Sequence, residues 1–116
     1  FTIGQASVRS VDVILKESFP VQVDVRVKGT LADSCTELGD NRQQLVGNVF
    51  QIVLESKKSK DGDLVCAQML KDFDTTFALK NVVGISAGEY IVDVNGVQKK
   101  FTMDVDNYIS DVDPLK

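Results

Sequence analysis

Along most of the chain apolar and polar residues alternate with a period of two, the spacing that places successive side chains on opposite faces of a β-strand. The cleanest run sets Val21, Val23, Val25 and Val27 against Gln22, Asp24, Arg26 and Lys28. β-Branched residues on one face and polar or charged ones on the other predict a half-buried strand. Before it, Val11, Val13 and Leu15 alternate with Asp12 and Lys16, a strand expected to end near Ser18-Phe19-Pro20, where the proline marks a break or an edge. Gly29-Thr30 is expected to lead out of the second strand into the turn-rich Leu31-Ala32-Asp33-Ser34-Cys35. Residues 36–44 are polar and give the weakest strand pattern. After Gly47-Asn48, Phe50, Ile52 and Leu54 share one face of a strand. Val49 and Val53 leave its other face unusually apolar, either as scattered surface valines or as a contact surface.

Three further runs complete the pattern. Phe73, Thr75, Phe77 and Leu79 alternate with Asp74, Thr76 and Lys80; then come Tyr90, Val92 and Val94, and finally Val97, Lys99, Phe101, Met103 and Val105 opposite Gln98, Lys100, Thr102 and Asp104. Asn95-Gly96 joins the last two as a type I′ hairpin turn, whose central residues both need positive φ. Seven short strands predict an all-β fold, a two-sheet antiparallel sandwich of the immunoglobulin or fibronectin III kind over residues 10–105. Residues 1–9 are expected as an N-terminal extension and residues 106–116 as an acidic C-terminal tail. Tyr90, just after the Ser86-Ala87-Gly88 turn, is expected to be the tyrosine corner of such a sandwich, its hydroxyl bonded to backbone near Ser86. A plain core tyrosine is the alternative. With no tryptophan and no cysteine two residues after Tyr90, the antibody pattern itself is excluded.

The chain has 116 residues, enough for one domain with one core. Its 13 lysines and arginines against 17 acidic residues argue against nucleic acid and anionic membrane as partners. The absence of histidine removes the usual general base and the commonest zinc ligand. No apolar run is long enough for a spanning helix, and no insertion of the domain into a membrane is expected. Phe1-Thr2-Ile3-Gly4 lacks the regions of an uncleaved signal, as expected of a trimmed, exported chain or of a boundary within a larger protein. Cys35 and Cys66, the only cysteines, are expected to form one disulfide, which implies an exported location: periplasm, cell surface or secreted. Two buried thiols in a cytosolic protein are the alternative.

One resemblance rests on Cys35-Thr36, Gly47-Asn48-Val49-Phe50, Val65-Cys66-Ala67-Gln68, Phe73, Ala87-Gly88-Glu89-Tyr90, Val94-Asn95-Gly96 and Phe101-Thr102. In this order the chain resembles small bacterial envelope domains, often lipoproteins, with an immunoglobulin-like fold and no established activity. The resemblance supports export, with the option of a lipid anchor, and transfers no catalytic residue.

Little in the chain points to catalysis, and no cofactor or metal is expected. Asp61-Gly62-Asp63 and the acidic residues from Asp104 to Asp113 offer oxygen ligands for calcium but lack the register of an EF-hand loop, so they are assigned to solvated turns. Ser34 and Cys35 have no histidine to activate them. The long connection from Ser56 to Asp72 carries Lys57, Lys58 and Lys60 at its front, the leading candidates for a partner-binding loop. Its second half, from Leu64 to Leu70, is expected as a short helical turn capping the sandwich. The resulting expectation is a non-enzymatic binding or structural module of the bacterial cell envelope, with another envelope protein as partner. A chagasin-type protease inhibitor is the second expectation. An accessory carbohydrate-binding domain is the third, with Tyr108 the one aromatic expected at the surface.

Overall fold

The computed structural model describes residues 2–58 and 66–108. Eight strands follow in order: β1 Thr2–Gln5, β2 Ser7–Leu15, β3 Val23–Leu31, β4 Thr36–Val46, β5 Val49–Lys58, β6 Lys71–Ala78, β7 Gly88–Val94 and β8 Val97–Met103. The order β2-β3-β6 makes the smaller sheet. The larger joins β1, β5, β7 and β8, with β4 also on β5. Val11, Val25, Val27 and Phe73 from one sheet and Phe50, Ile52, Leu54, Val92 and Phe101 from the other bury the core between them. The fold is therefore a two-sheet β-sandwich, as the alternation predicts.

The structure departs from the sequence expectations in several places, among them the last strand, which ends at Met103 and leaves Val105 outside it. The expected N-terminal extension consists of β1 and the start of β2, and Ala6, buried where the chain changes sheet, donates its N–H to the carbonyl of Leu54. A four-residue strand is too short for its periodicity to show. The pairing is not wholly antiparallel, because β7 runs parallel to β5 from Val49↔Ile91 to Ile52↔Val94. Parallel neighbours need a crossover, supplied here by β6 and the connection after it. The second strand does not end at Gly29. It continues as β3 to Leu31, because β2 and the Phe73 ring approach the glycine too closely for any side chain. Lastly, Asp106 and Asn107 belong to the fold: Ala87 N–H donates to the Asp106 carboxylate, and Asn107 is fully buried.

β5 is the hub of the larger sheet. β4 covers its whole length on one side, while β7 pairs with residues 49–52 and β1 with residues 55–58 on the other. The side chain of Asn95 fills the break between those two short partners. Its Oδ1 accepts from Leu54 N–H at 2.9 Å, and its Nδ2 donates to the carbonyls of Ala6 at 2.7 Å and Leu54 at 2.9 Å. An amide has the same donor and acceptor as a peptide, so Asn95 continues the ladder where no strand residue is available.

Candidate functional site

The two ends of the sandwich differ in chemistry. At one end Cys35 and Cys66 form a disulfide, with Asp33 buried beside it. Asp33 Oδ1 accepts from Cys35 N–H at 3.0 Å and from the Thr36 hydroxyl at 2.8 Å, while Oδ2 lies 2.8 Å from Lys58 Nζ. The Lys58 ammonium, then the Thr36 hydroxyl and the Cys35 N–H, hold this carboxyl well below the usual carboxylate range, at about 2. Asp33, Cys35 and Cys66 place their ligand atoms within 4.8 Å of one another, but both sulfurs are bonded to each other and the carboxylate is fully engaged. This end is a structural staple.

That geometry changes the role of the lysines at the front of the long connection. Lys57 and Lys58 lie within β5, opposite Ile3 and Thr2 of β1 and Glu37 and Thr36 of β4. Lys58 turns back toward Asp33. Lys60 and the Asp61-Gly62-Asp63 turn lie outside the described residues. Of the expected helical cap, residues 66–70 form no helix, and Met69 and Leu70 are exposed at 65 % and 69 %. Ser34 is occupied in fastening this segment, its hydroxyl accepting from Ala67 N–H at 2.7 Å. Tyr90, half-buried, packs against the core residues Phe50 and Phe101, ring centroids 5.8 Å away in each case, and its hydroxyl donates to the Ser86 carbonyl at 2.7 Å.

At the opposite end the connections 16–22, 79–87 and 104–108 meet. The buried amide of Asn107 ties them together: Oδ1 accepts from Val21 N–H at 2.6 Å, and Nδ2 donates to the carbonyls of Val21 at 3.0 Å and Val82 at 2.9 Å. Gly84 N–H donates to the Asn107 carbonyl, and Asn107 N–H to that of Ile85. Beside this knot is a cavity of about 280 Å3, lined mainly by Val21, Val23, Leu79, Val82 and Val83, with Lys16 and Asp24 in an ion pair of 3.1 Å at its margin. Among the described residues, six of the ten large apolar side chains left exposed (Ile14, Leu15, Phe19, Val83, Val105 and Tyr108) lie in or next to these three connections. Phe19 and Val83 are each 61 % exposed. Burying them would stabilise the free domain, so their concentration at one end marks the surface best suited to meet a partner. Sequence reasoning passed over it because no two of the three connections show a common pattern in the chain; the signal was Phe19 next to Pro20, outside any alternating run.

The mainly aliphatic lining and the exposed apolar side chains at this end suit recognition by apolar contact. The model of the ORF11 beta-sandwich domain matches residues 25–103, from the middle of β3 to the end of β8. The chain belongs to this family. Among its relatives is the "Uncharacterized 10.2 kDa protein in HgiCIIM 5'region" of Herpetosiphon aurantiacus, 33 % identical over 90 residues, which are 78 % of this chain and 92 % of that protein. The "Uncharacterized 10.2 kDa protein in HgiBIM 5'region" and the corresponding HgiEIM protein of the same organism are each 34 % identical over 80 residues, 69 % of this chain and 93 % of theirs. No solved structure matches. The matched span of the ORF11 beta-sandwich domain holds Cys35, Asp33, Lys58, Cys66 and Asn95, whereas Phe19, Val21 and Asn107 of the apolar end fall outside it.

Proposed function

We propose that this ORF11 beta-sandwich domain is a non-enzymatic binding module of the bacterial cell envelope, engaging an envelope protein through its apolar end. The observation that carries this reading is the concentration of exposed apolar side chains, Phe19 and Val83 among them, in or next to the three connections that Asn107 ties together, with the Val83-lined 280 Å3 cavity beside them. A rigid knot beneath exposed side chains suits recognition, because little conformational entropy is lost when a partner covers them. The Cys35–Cys66 bridge supports the envelope location, since such bridges persist in oxidising compartments. The titratable groups displaced from their ordinary range support a role without catalysis, being spent on structural pairs: Asp33 on Lys58, and Asp74 on Arg26, whose guanidinium holds it in two hydrogen bonds of 2.9 and 2.6 Å. The test is cross-linking of the native chain, and of a Phe19→Asp/Val83→Asp variant, to envelope and cytosolic fractions of the source cells. An envelope protein captured by the native chain and lost from the folded variant is expected. Equal capture by both, or capture from the cytosolic fraction alone, would overturn the reading.

A further inference from the structure

The outer edges of the two sheets are not equally protected against pairing with another strand. Exposed edges are normally blunted by shortness, bulges or charges, particularly charges pointing inward. β1 has four residues. β2 carries a bulge between Val8 and Ser10. β6 has Asp72 and Asp74 along it, and the Gln43 amide donates to its Ala78 carbonyl while accepting from Lys80 N–H just beyond. β8 has Lys100 on its outer side and Lys99 opposite the buried Val92, hence on the core side. β4 has a bulge as well, between Leu38 and Asn41, but from Asn41 to Val46 its pairing with β5 is regular, and among the described residues it pairs with no other strand. This stretch, Asn-Arg-Gln-Gln-Leu-Val, holds no proline or glycine and a single charge, Arg42, which is drawn back over its own sheet by Glu55 at 3.4 Å.

We infer that residues 41–46 of β4 form an antiparallel edge-to-edge contact with the same residues of a second copy, joining two larger sheets into one. A two-fold axis makes such a contact self-complementary, each copy offering the same donors and acceptors. Centring the axis at Gln44 sets Gln44 opposite Gln44, Arg42 opposite Val46 and Gln43 opposite Leu45. Faces then match, because Arg42, Gln44 and Val46 lie on the outer side with Val53, Gln51 and Val49, while Gln43 and Leu45 lie on the core side with Ile52 and Phe50. An axis one residue earlier would bring Asp40, in the bulge, opposite Val46. The charge pattern selects a second copy over another strand: a nearly neutral stretch of amides offers no ionic register to a foreign partner, whereas like meets like here without repulsion. A contact about 20 Å long is smaller than a standard interface, so the dimer is expected to be weak, with a dissociation constant between about 1 μM and about 1 mM.

Sedimentation equilibrium on the purified chain across that range tests this. A concentration-dependent dimer is expected, and Gln44→Lys, which sets two ammonium groups against each other across the axis, is expected to abolish it while circular dichroism stays native. Gln51→Lys, on the same face but one strand inward, is expected to leave the dimer intact. A chain that stays monomeric at about 1 mM, a dimer indifferent to Gln44→Lys, or one lost equally in both variants, which would signal face-to-face stacking, overturns the proposal. Should Gln44→Lys fail to fold, Gln44→Cys provides a second measurement: oxidation is expected to link two chains covalently, and its failure to do so counts against the contact.

Discussion

Asn95 shows how much one residue can do when its backbone and side chain are used together. As the first central residue of the β7–β8 turn it has a φ of 51°, a region open to asparagine at little cost, and its amide serves β1 and β5 at once. Asn95→Gly keeps the turn and removes only the amide. Three hydrogen bonds at about 1 kcal/mol each predict a loss of about 3 kcal/mol in urea unfolding. Asp33 makes a different prediction. Its folded-state pKa of about 2 lies below the ordinary 3.8, so its contribution is fully present above pH 3.8 and is lost as pH falls toward 2. Melting temperatures across that window should therefore fall less steeply for Asp33→Asn than for the native chain, and an equal slope in both would contradict the assignment. The type I′ turn and the Tyr90 hydroxyl were legible in the chain because both depend on near neighbours. The partners of Asp33 and of the Asn95 amide were not, lying 25 and 41 residues away at Lys58 and Leu54.

At the scale of elements, β3 is the strand best foretold by alternation and yet its end was misplaced. Periodicity reports which face is buried, and it is silent where a glycine sits because a neighbour is too close. A Cβ at Gly29 would stand 2.0 Å from the Ser7 carbonyl oxygen and 2.8 Å from the Phe73 ring. Gly29→Ala must push β2 away at its bulge, and a loss of about 3 kcal/mol in chemical denaturation is expected, at the upper end of overpacking. A change below about 1 kcal/mol would mean that β2 has room to move. β4 presents the converse case. Its polar sequence gave a weak pattern because an edge strand buries little: Leu38 and Leu45 are its only aliphatic residues packed against the core. Lys57 and Lys58, expected on a loop, extend β5 because β1 and β4 both offer pairing there. That pairing becomes visible only once β1, itself too short to show in the pattern, is in place.

At the scale of the whole molecule, both outer faces carry charge, including the Arg42–Glu55 pair on the larger sheet, but they differ in their apolar content. The smaller sheet carries the ion pairs Arg26–Asp74, Lys16–Asp24 and Arg9–Asp72, a solvated surface with its charges matched. The larger has Val46, Val49, Val53 and Ile91 among its outward residues, which places the valines singled out by the pattern on the sheet whose β4 edge is open. The apolar end is probed at Phe19 and Val83 and the edge at Gln44, so partner binding and self-association are tested on different residues. The sequence by itself determined the fold class, the inward residues of the long strands and the Asn95-Gly96 hairpin, because each follows from periodicity or from the φ demands of adjacent residues. The tertiary structure alone decided the parallel pairing of β5 with β7, the pairing of Lys58 with Asp33 and the meeting of three connections at Asn107. Each of these joins residues far apart in the chain, where no local spacing records which groups will meet.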